Sequence, residues 1–164
     1  MSLLAILAWP DPRLAQPCAP VGMVTPELRQ LAADMLETMC AAPGRGLAGP
    51  QVGAMLRIFV MDTTWKEGVP APQVVLNPVL EPLDEAVSTR AEGCLSIPGI
   101  TVEVTRPARV RMRWHDLDGV SHVADLEDFA ATCAQHEADH LDGVVTLMRL
   151  APEARAVAEA AYGA

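Results

Sequence analysis

The nonapeptide Gln-His-Glu-Ala-Asp-His-Leu-Asp-Gly at residues 135–143 carries the strongest chemical signal in the chain. His136 and His140 are four residues apart, so on a helix both imidazoles share one face and can bind one metal ion. Glu137 follows the first histidine, where a carboxylate can accept a proton from water at the metal. The pattern indicates a metal hydrolase. The competing interpretation is a solvated acidic helix end with two surface histidines.

A catalytic centre of this kind needs a third protein ligand, which could be a cysteine, an aspartate or a glutamate, and one open position for water. Phe129, Thr132 and Cys133 fall on the same helical stripe as the two histidines, which makes Cys133 a geometric candidate. A free cysteine at such a position is more often part of a core. Spacing alone therefore does not choose between Cys133 and Cys94.

Composition limits the class of protein that could carry the motif. The chain has 164 residues, 51% of them hydrophobic, which predicts one domain spanning residues 1–164 with an aliphatic core. A formal net charge of −9 argues against DNA or RNA as a partner. The four cysteines form no Cys-x-x-Cys pair, and we expect reduced thiols in a cytoplasmic protein. No segment has the length of a membrane span or the form of a signal peptide.

The first half of the chain predicts a helix followed by strands. Thr25-Pro26-Glu27 is typical of a helix start, and Pro43 to Gly46 should end that helix. Residues 57–62 predict a buried strand, and residues 74–76 predict another that Asn77-Pro78 would stop. Residues 63–73 contain glycine and prolines and should form a loop.

The second half predicts a hairpin and the helix that carries the motif. Residues 108–115 alternate, with three arginines on one face that we interpret as a solvated sheet surface and, as the alternative, a binding groove. Asp118-Gly119 predicts the turn into residues 120–124. Asp125 should cap the motif helix, with Asp128 completing a capping box, and Gly143 should end it after residue 141. Residues 151–164 predict a short final helix.

These elements together predict an α+β fold, with mixed or antiparallel β-sheets packed around a central helix carrying the His-Glu-x-x-His motif.

Two further segments accompany this motif. Residues 46–53 are Gly-Leu-Ala-Gly-Pro-Gln-Val-Gly, and residues 92–98 are Glu-Gly-Cys-Leu-Ser-Ile-Pro. In this order and spacing the three blocks resemble the peptide deformylase family of bacterial type. Residues 10–14 and 76–78 are similar to that family as well. The resemblance covers nearly the whole chain and is more specific than the His-Glu-x-x-His pattern alone.

The resemblance implies that Cys94 is the third ligand beside His136 and His140. A thiolate with two imidazoles suits iron(II), zinc, nickel or cobalt, and the family usually works with Fe²⁺. The implied reaction is hydrolysis of the N-terminal formyl group of a new or short formyl-methionyl peptide, with release of formate. The implied enzyme therefore needs one divalent metal ion and an N-formylated peptide as substrate.

The resemblance also assigns roles around the metal. Glu137 would take the proton of the attacking water and pass it to the leaving amine. The side-chain amide of Gln51 and the backbone N–H of Leu95 would hold the negative charge that grows on the formyl oxygen. Gly46 would let the backbone approach the substrate closely. Glu92 would orient the neighbouring backbone, and its alternative role is that of a surface acid at the start of a strand.

The pocket for the substrate side chain departs from the family pattern. Arg45, Arg90 and Thr132 stand where the family has apolar residues lining the methionine pocket, beside Phe129 and Cys133. The arginine stems could pack along the pocket while their charged ends reach water, which keeps methionine specificity. Alternatively the pocket accepts a polar or acidic side chain, since arginine commonly recognises carboxylates.

Three other functions compete with this interpretation. They are a deformylase-like amidase acting on another N-acyl substrate, a metal-binding homologue without turnover and, last, a generic metallopeptidase, which would not need the Glu-Gly-Cys or Gly-Leu-Ala segments. The presence of every expected chemical residue argues against the second.

We expect a monomer. Residues 151–164 carry one arginine against two glutamates, so this tail offers little attraction to ribosomal RNA.

Overall fold

The computed structural model describes residues 2–163, and within them it contains three α-helices, four short 3₁₀ helices and seven strands. The α-helices are α1 (Pro26–Ala41), α2 (Asp128–Leu141) and α3 (Pro152–Tyr162). The strands are β1 (Gly46–Ala48), β2 (Ile58–Met61), β3 (Gln73–Pro82), β4 (Val87–Cys94), β5 (Ile97–Pro107), β6 (Arg109–His115) and β7 (Ser121–Glu127). A five-stranded antiparallel sheet has the order β1-β2-β3-β6-β7, and β4 pairs with β5 in a separate antiparallel hairpin. The α+β class is confirmed.

Strand β2 lies between two helical layers. Its four residues are all buried, as the apolar run at residues 57–62 predicts. Ile58 and Val60 belong to the core cluster that includes Met35 and Met39 of α1. The alternate residue Phe59 belongs to the cluster that includes Cys133 and other residues of α2. Because successive side chains of a strand point to opposite faces, α1 and α2 cover opposite faces of the sheet.

Helix α1 begins where its capping signal predicts. The Thr25 hydroxyl accepts a hydrogen bond from the backbone N–H of Leu28 at 3.1 Å, and Pro26 occupies the first helical position. Helix α3 confirms the expected short final helix.

No helix among residues 2–163 has the length and apolar character needed to cross a membrane.

The predicted start of the motif helix is wrong by two residues, because its N-cap is Glu127. Asp125 does not cap it, because the pairing of β6 with β7 continues to Arg109 and Glu127. Asp125 instead accepts a hydrogen bond from Nε of Arg111 at 2.7 Å. The end of α2 is as predicted. Gly143 has a φ of +76°, and a Cβ there would lie 2.8 Å from a backbone carbon of Gln16.

The predicted end of the strand at residues 74–76 is also wrong. Strand β3 continues through Asn77 and Pro78 to Pro82, with a shift in its register against β6 between Leu76 and Val79. Asn77 adopts a φ of +50°, a conformation that asparagine tolerates better than most residues. Its side chain accepts from Val21 N and donates to Val21 O, both at 2.8 Å, and these contacts hold the bulge.

The arginines of β6 form a solvated face, as expected. The opposite side chains Val110, Met112 and Trp114 are buried. Each arginine contacts an acidic partner on the exposed face: Arg109 with Asp84, Arg111 with Asp125, and Arg113 with Glu81. This face is therefore electrically balanced rather than a basic groove.

Candidate active site

Three possible metal ligands meet where the β4–β5 hairpin packs against α2. Cys94 ends β4, and His136 and His140 lie one turn apart on α2. One ligand atom from each residue lies within 4.8 Å of the others, and Cys94 Sγ is 3.5 Å from His140 Nε2. The two imidazole rings are 5.1 Å apart at 71° to each other. The arrangement brings together a cysteine sulfur and two imidazoles from segments far apart in sequence.

The electrostatics of this cluster suit a cation. Burial alone would lower the pKa of His136, but Glu137, Cys94 and Glu92 raise it well above its ordinary value. Burial, together with the charges of His136 and Arg106, lowers the pKa of His140. Within residues 2–163, His140 Nδ1 has no hydrogen-bond partner although it is buried. One buried sulfur ligand and two buried nitrogen ligands, with acidic side chains around them, suit a single divalent transition-metal ion.

Glu92 orients His136. Its Oε1 lies 3.0 Å from His136 Nδ1. Arg106 donates from Nε to Glu92 Oε2 at 2.8 Å and from Nη2 to Glu92 Oε1 at 2.9 Å. Glu92 is only 6% exposed, which excludes the surface-acid interpretation. Burial would raise its pKa, but the bonds from His136 and Arg106 lower it, so the carboxylate stays ionised.

Arg106 and Asp139 extend the hydrogen-bond network of Glu92, and the sequence prediction missed both. Arg106 Nη1 donates to Asp139 Oδ2 at 2.8 Å, and Asp139 in turn accepts two bonds from Arg149, at 2.6 and 3.0 Å. A signal for Arg106 was available. On β5 it follows Val102 and Val104 at the same alternate spacing, and all three are buried. A charged residue at an inward strand position requires a buried partner.

Glu137 lies at the bottom of the site, buried and close to the backbone of β1. Its Oε1 has no hydrogen-bond partner among residues 2–163, and burial raises its pKa to about 7. A Cβ on Gly46 would lie 2.5 Å from Glu137 Oε2. Gly46 therefore makes room for the carboxylate, whereas the sequence interpretation assigned it to substrate approach. A carboxyl group with this pKa can both accept and return a proton near neutrality.

Gln51 lies in a 3₁₀ turn after β1, next to the metal ligands. Its Oε1 accepts from the backbone N–H of Ala48 at 2.9 Å, which orients its amide nitrogen toward the cluster. That nitrogen donates to Ser96 Oγ at 3.1 Å and lies 3.7 Å from Cys94 Sγ. Ser96, fully buried, is a further partner that the sequence prediction missed. Leu95, between Cys94 and Ser96, lines the same cavity.

A cavity of about 510 Å³ opens beside these groups. Its wall includes the predicted site residues Arg45, Gly46, Gln51, Glu92, Cys94, Leu95, Phe129, Thr132, Cys133, His136 and Glu137. Arg90 is not among the residues that line it; its side chain points to Asp128, with 3.4 Å between Nη2 and Oδ1. His140 lies behind the cavity wall, in the ligand cluster. The volume suits a side chain and part of a peptide.

The polar side chains that stand where apolar pocket residues are expected each have a hydrogen-bond partner in the protein. Arg45 donates to Thr63 O at 2.9 Å and to Glu67 Oε1 at 2.8 Å. The Thr132 hydroxyl donates to Asp128 O, one turn earlier in α2, at 3.4 Å. Cys133 Sγ lies 3.6 Å from Arg45 O. The cavity wall thus offers few free polar groups to a side chain bound within it.

A buried cysteine–histidine–histidine cluster with an adjacent glutamate, on this α+β scaffold, defines a metal-dependent hydrolase. The chain belongs to the polypeptide deformylase family, whose sequence model matches residues 3–156.

Curated relatives are similar to this chain in sequence over most of their length. The chain is 49% identical over 149 residues to the peptide deformylase of Nitrobacter hamburgensis, covering 88% of this chain and 85% of the relative. It is 46% identical over 152 residues to the peptide deformylase of Acinetobacter baumannii, covering 93% and 85% of the two chains.

Solved structures share the fold. The peptide deformylase of Ehrlichia chaffeensis in complex with actinonin superimposes with a TM-score of 0.89 at 37% identity, covering 96% of this chain and 94% of that chain. The peptide deformylase of Synechococcus elongatus, also with actinonin, gives a TM-score of 0.92 at 35% identity, covering 98% and 88%. The protein is accordingly an enzyme of the deformylase family, a metal-dependent hydrolase of protein biosynthesis.

Proposed function

We propose that the protein removes the formyl group from the N-terminus of short or nascent formyl-methionyl peptides and releases formate. One observation carries the proposal. Glu137, Gln51, Cys94 and His136 line one cavity, and His140 completes the ligand cluster behind its wall, in a chain of the deformylase family. Acid–base, oxyanion-binding and metal-ligating groups are thereby within reach of one bound amide.

Cys94, His136 and His140 would hold one divalent ion, for which we propose Fe²⁺. Zinc, nickel and cobalt suit the same ligands. When bound, the ion would polarise the formyl carbonyl and acidify the water that attacks it. Three protein ligands leave a position open, as a catalytic rather than a structural site requires.

The remaining steps belong to the protein. Glu137, whose pKa burial raises to about 7, accepts the proton of the attacking water and returns it to the amine that leaves. The Gln51 amide nitrogen and the backbone N–H of Leu95 donate to the oxygen on which negative charge develops. The bond from Ala48 N fixes the Gln51 amide before the substrate binds, so little reorganisation is needed during the reaction.

The same cavity would hold the methionine side chain. Phe129 and Cys133 supply apolar surface, and the hydroxyl of Thr132 is engaged by its own helix. An unbranched apolar side chain gains about 0.8 kcal/mol for each methylene group that it buries. Methionine therefore fits the wall better than a charged side chain does.

We propose that the enzyme acts in the cytoplasm as a monomer, without docking to the ribosome through α3. Arg155, the basic residue of this helix, bonds to Glu159 at 2.8 Å. Glu153 adds a second negative charge in the first turn. The helix therefore offers no excess of positive charge to RNA.

The proposal is tested by loading the protein with Fe²⁺ without oxygen and measuring formate release from formyl-Met, formyl-Gln and formyl-Glu peptides. We expect turnover with the highest kcat/KM for formyl-Met. N-acetyl-Met peptides of the same sequence are the matched control for a general amidase. Equal hydrolysis of acetyl and formyl peptides, or no formate from any peptide, would reject the assignment.

A further inference from the structure

Arg45 occupies the rim of the cavity and is held there by three contacts. Its Nη1 donates to Thr63 O at 2.9 Å, and its Nη2 donates to Glu67 Oε1 at 2.8 Å. Its guanidinium carbon lies 5.3 Å from the centroid of the Phe129 ring. Arg45 and Phe129 both line the cavity, whereas Glu67 does not. The carboxylate thus holds the guanidinium from outside the cavity.

The segment that carries Glu67 is itself fixed against the loop that carries Arg45. Glu67 ends the 3₁₀ turn Trp65–Glu67, and Trp65 Nε1 donates to Gly44 O, next to Arg45, at 2.9 Å. Thr63, whose carbonyl accepts from Arg45, lies two residues before this turn. The backbone of Arg45 is also fixed, because its carbonyl accepts from Asp62 N at 2.9 Å. The Arg45–Glu67 ion pair is therefore formed between two segments that hydrogen bonds hold together.

The pair determines the charge at the cavity rim. Arg45 has a side-chain exposure of 28% and Glu67 of 56%, so both charges face partly into solvent and largely cancel. A guanidinium has five N–H donors, and these two contacts occupy two of them. Without Glu67, Arg45 would present an unneutralised cation with free donors to the cavity. A carboxylate on the substrate side chain is the group that such a cation recognises.

We propose that Glu67 is a positioning residue for substrate selection in this chain. By neutralising and holding Arg45, it keeps the rim suited to neutral apolar side chains and disfavours acidic ones. The inference rests on the proposed deformylase function and adds the residue that sets the side-chain class. Its action is indirect, through Arg45.

The test compares formyl-Met and formyl-Glu peptides on the metal-loaded wild type and on Glu67→Gln. We expect the ratio of kcat/KM for formyl-Glu to that for formyl-Met to rise by about tenfold in the variant. The change should lie in KM for formyl-Glu, with kcat nearly constant, because the rim charge acts on binding and leaves Glu137 in place. In the double variant with Arg45→Met, the rise should disappear.

Asp128→Asn is the matched control. It removes one carboxylate from the nearby pair with Arg90, which lies outside the cavity lining, and asparagine tolerates the φ of +52° at this position. We expect no change in the substrate ratio. Glu67→Ala provides a second variant should Glu67→Gln be poorly folded.

An unchanged ratio in both Glu67 variants would overturn the proposal, as would a rise that persists without Arg45. A wild type that releases formate from none of the peptides would instead overturn the deformylase function on which the proposal rests. The two failures are therefore distinguishable.

Discussion

The Oε1 atom of Glu92 lies 3.0 Å from Nδ1 of His136. An ionised carboxylate can only accept a hydrogen bond, so Nδ1 carries a proton and Nε2 is the ring nitrogen that would bind a metal. Arg106 keeps the carboxylate ionised by two further hydrogen bonds. One buried ion pair thus sets the tautomer of a metal ligand.

Glu92→Gln should weaken metal binding. A glutamine at this position loses the negative charge that orients His136, and loss of such a partner typically lowers metal affinity by about 10- to 100-fold. Competition with a chelator measures the change directly. Glu103→Gln, an exposed change on the same hairpin, is the matched control and should leave affinity unaltered. Equal affinity in both variants would show that Glu92 does not tune the ligand.

Arg106→Met should destabilise the fold. It leaves Glu92 buried without its cation and deprives Asp139 of one of its two arginines, a loss of about 3–5 kcal/mol in the free energy of unfolding. Urea unfolding of metal-free protein separates this effect from metal loss. Arg109→Met removes an exposed pair with Asp84 and should change the urea midpoint little. Similar midpoints for the two variants would contradict the prediction.

Glu137→Gln should abolish turnover while the metal remains bound. The variant keeps the shape of the side chain but cannot accept a proton, and general-base loss typically costs about 10²- to 10⁴-fold in kcat. Metal content per chain, measured beside formate release, should equal that of the wild type. Glu127→Gln, at the exposed start of the same helix, should retain activity. Loss of metal from Glu137→Gln would show that Glu137 acts in metal binding rather than in proton transfer.

Gly46→Ala should lower kcat. Expressed as a free energy, this loss should exceed the loss in the free energy of unfolding. The new Cβ would lie 2.5 Å from Glu137 Oε2, so the carboxylate must move from its position at the cavity. A displacement of this size at a reacting group can cost about 10²-fold in rate. Gly22→Ala is the control, because a Cβ at Gly22 meets no atom of residues 2–163 within 4 Å. Unchanged kcat in Gly46→Ala would show that the position of Glu137 is not critical.

Much of the site could be predicted because its signals are local. The spacing of His136 and His140 on one helix, the capping residues of α1 and the alternation along β6 depend on neighbours in sequence. The pattern of the Glu-Gly-Cys segment added Cys94, and the structure brings it to the two histidines.

What could not be predicted depends on contacts between distant residues. Arg106 is 14 residues from Glu92 and 33 from Asp139, so no local pattern joins them. The continuation of β3 through Asn77 requires hydrogen bonds to Val21, 56 residues earlier. The rim contact of Arg45 requires Glu67, 22 residues later, which makes an arginine compatible with the cavity. In each case tertiary contacts override the local signal.

The placement of Cys94 and His140 has a mechanical consequence. They belong to different parts of the fold, the β4–β5 hairpin and α2, and lie 46 positions apart in the chain. An ion bound to both would act as a removable cross-link that closes this long loop of chain and restricts the unfolded ensemble. Starvation for the metal would therefore loosen the hairpin from the helix as well as stop the chemistry, which couples the lifetime of the protein to its metal supply.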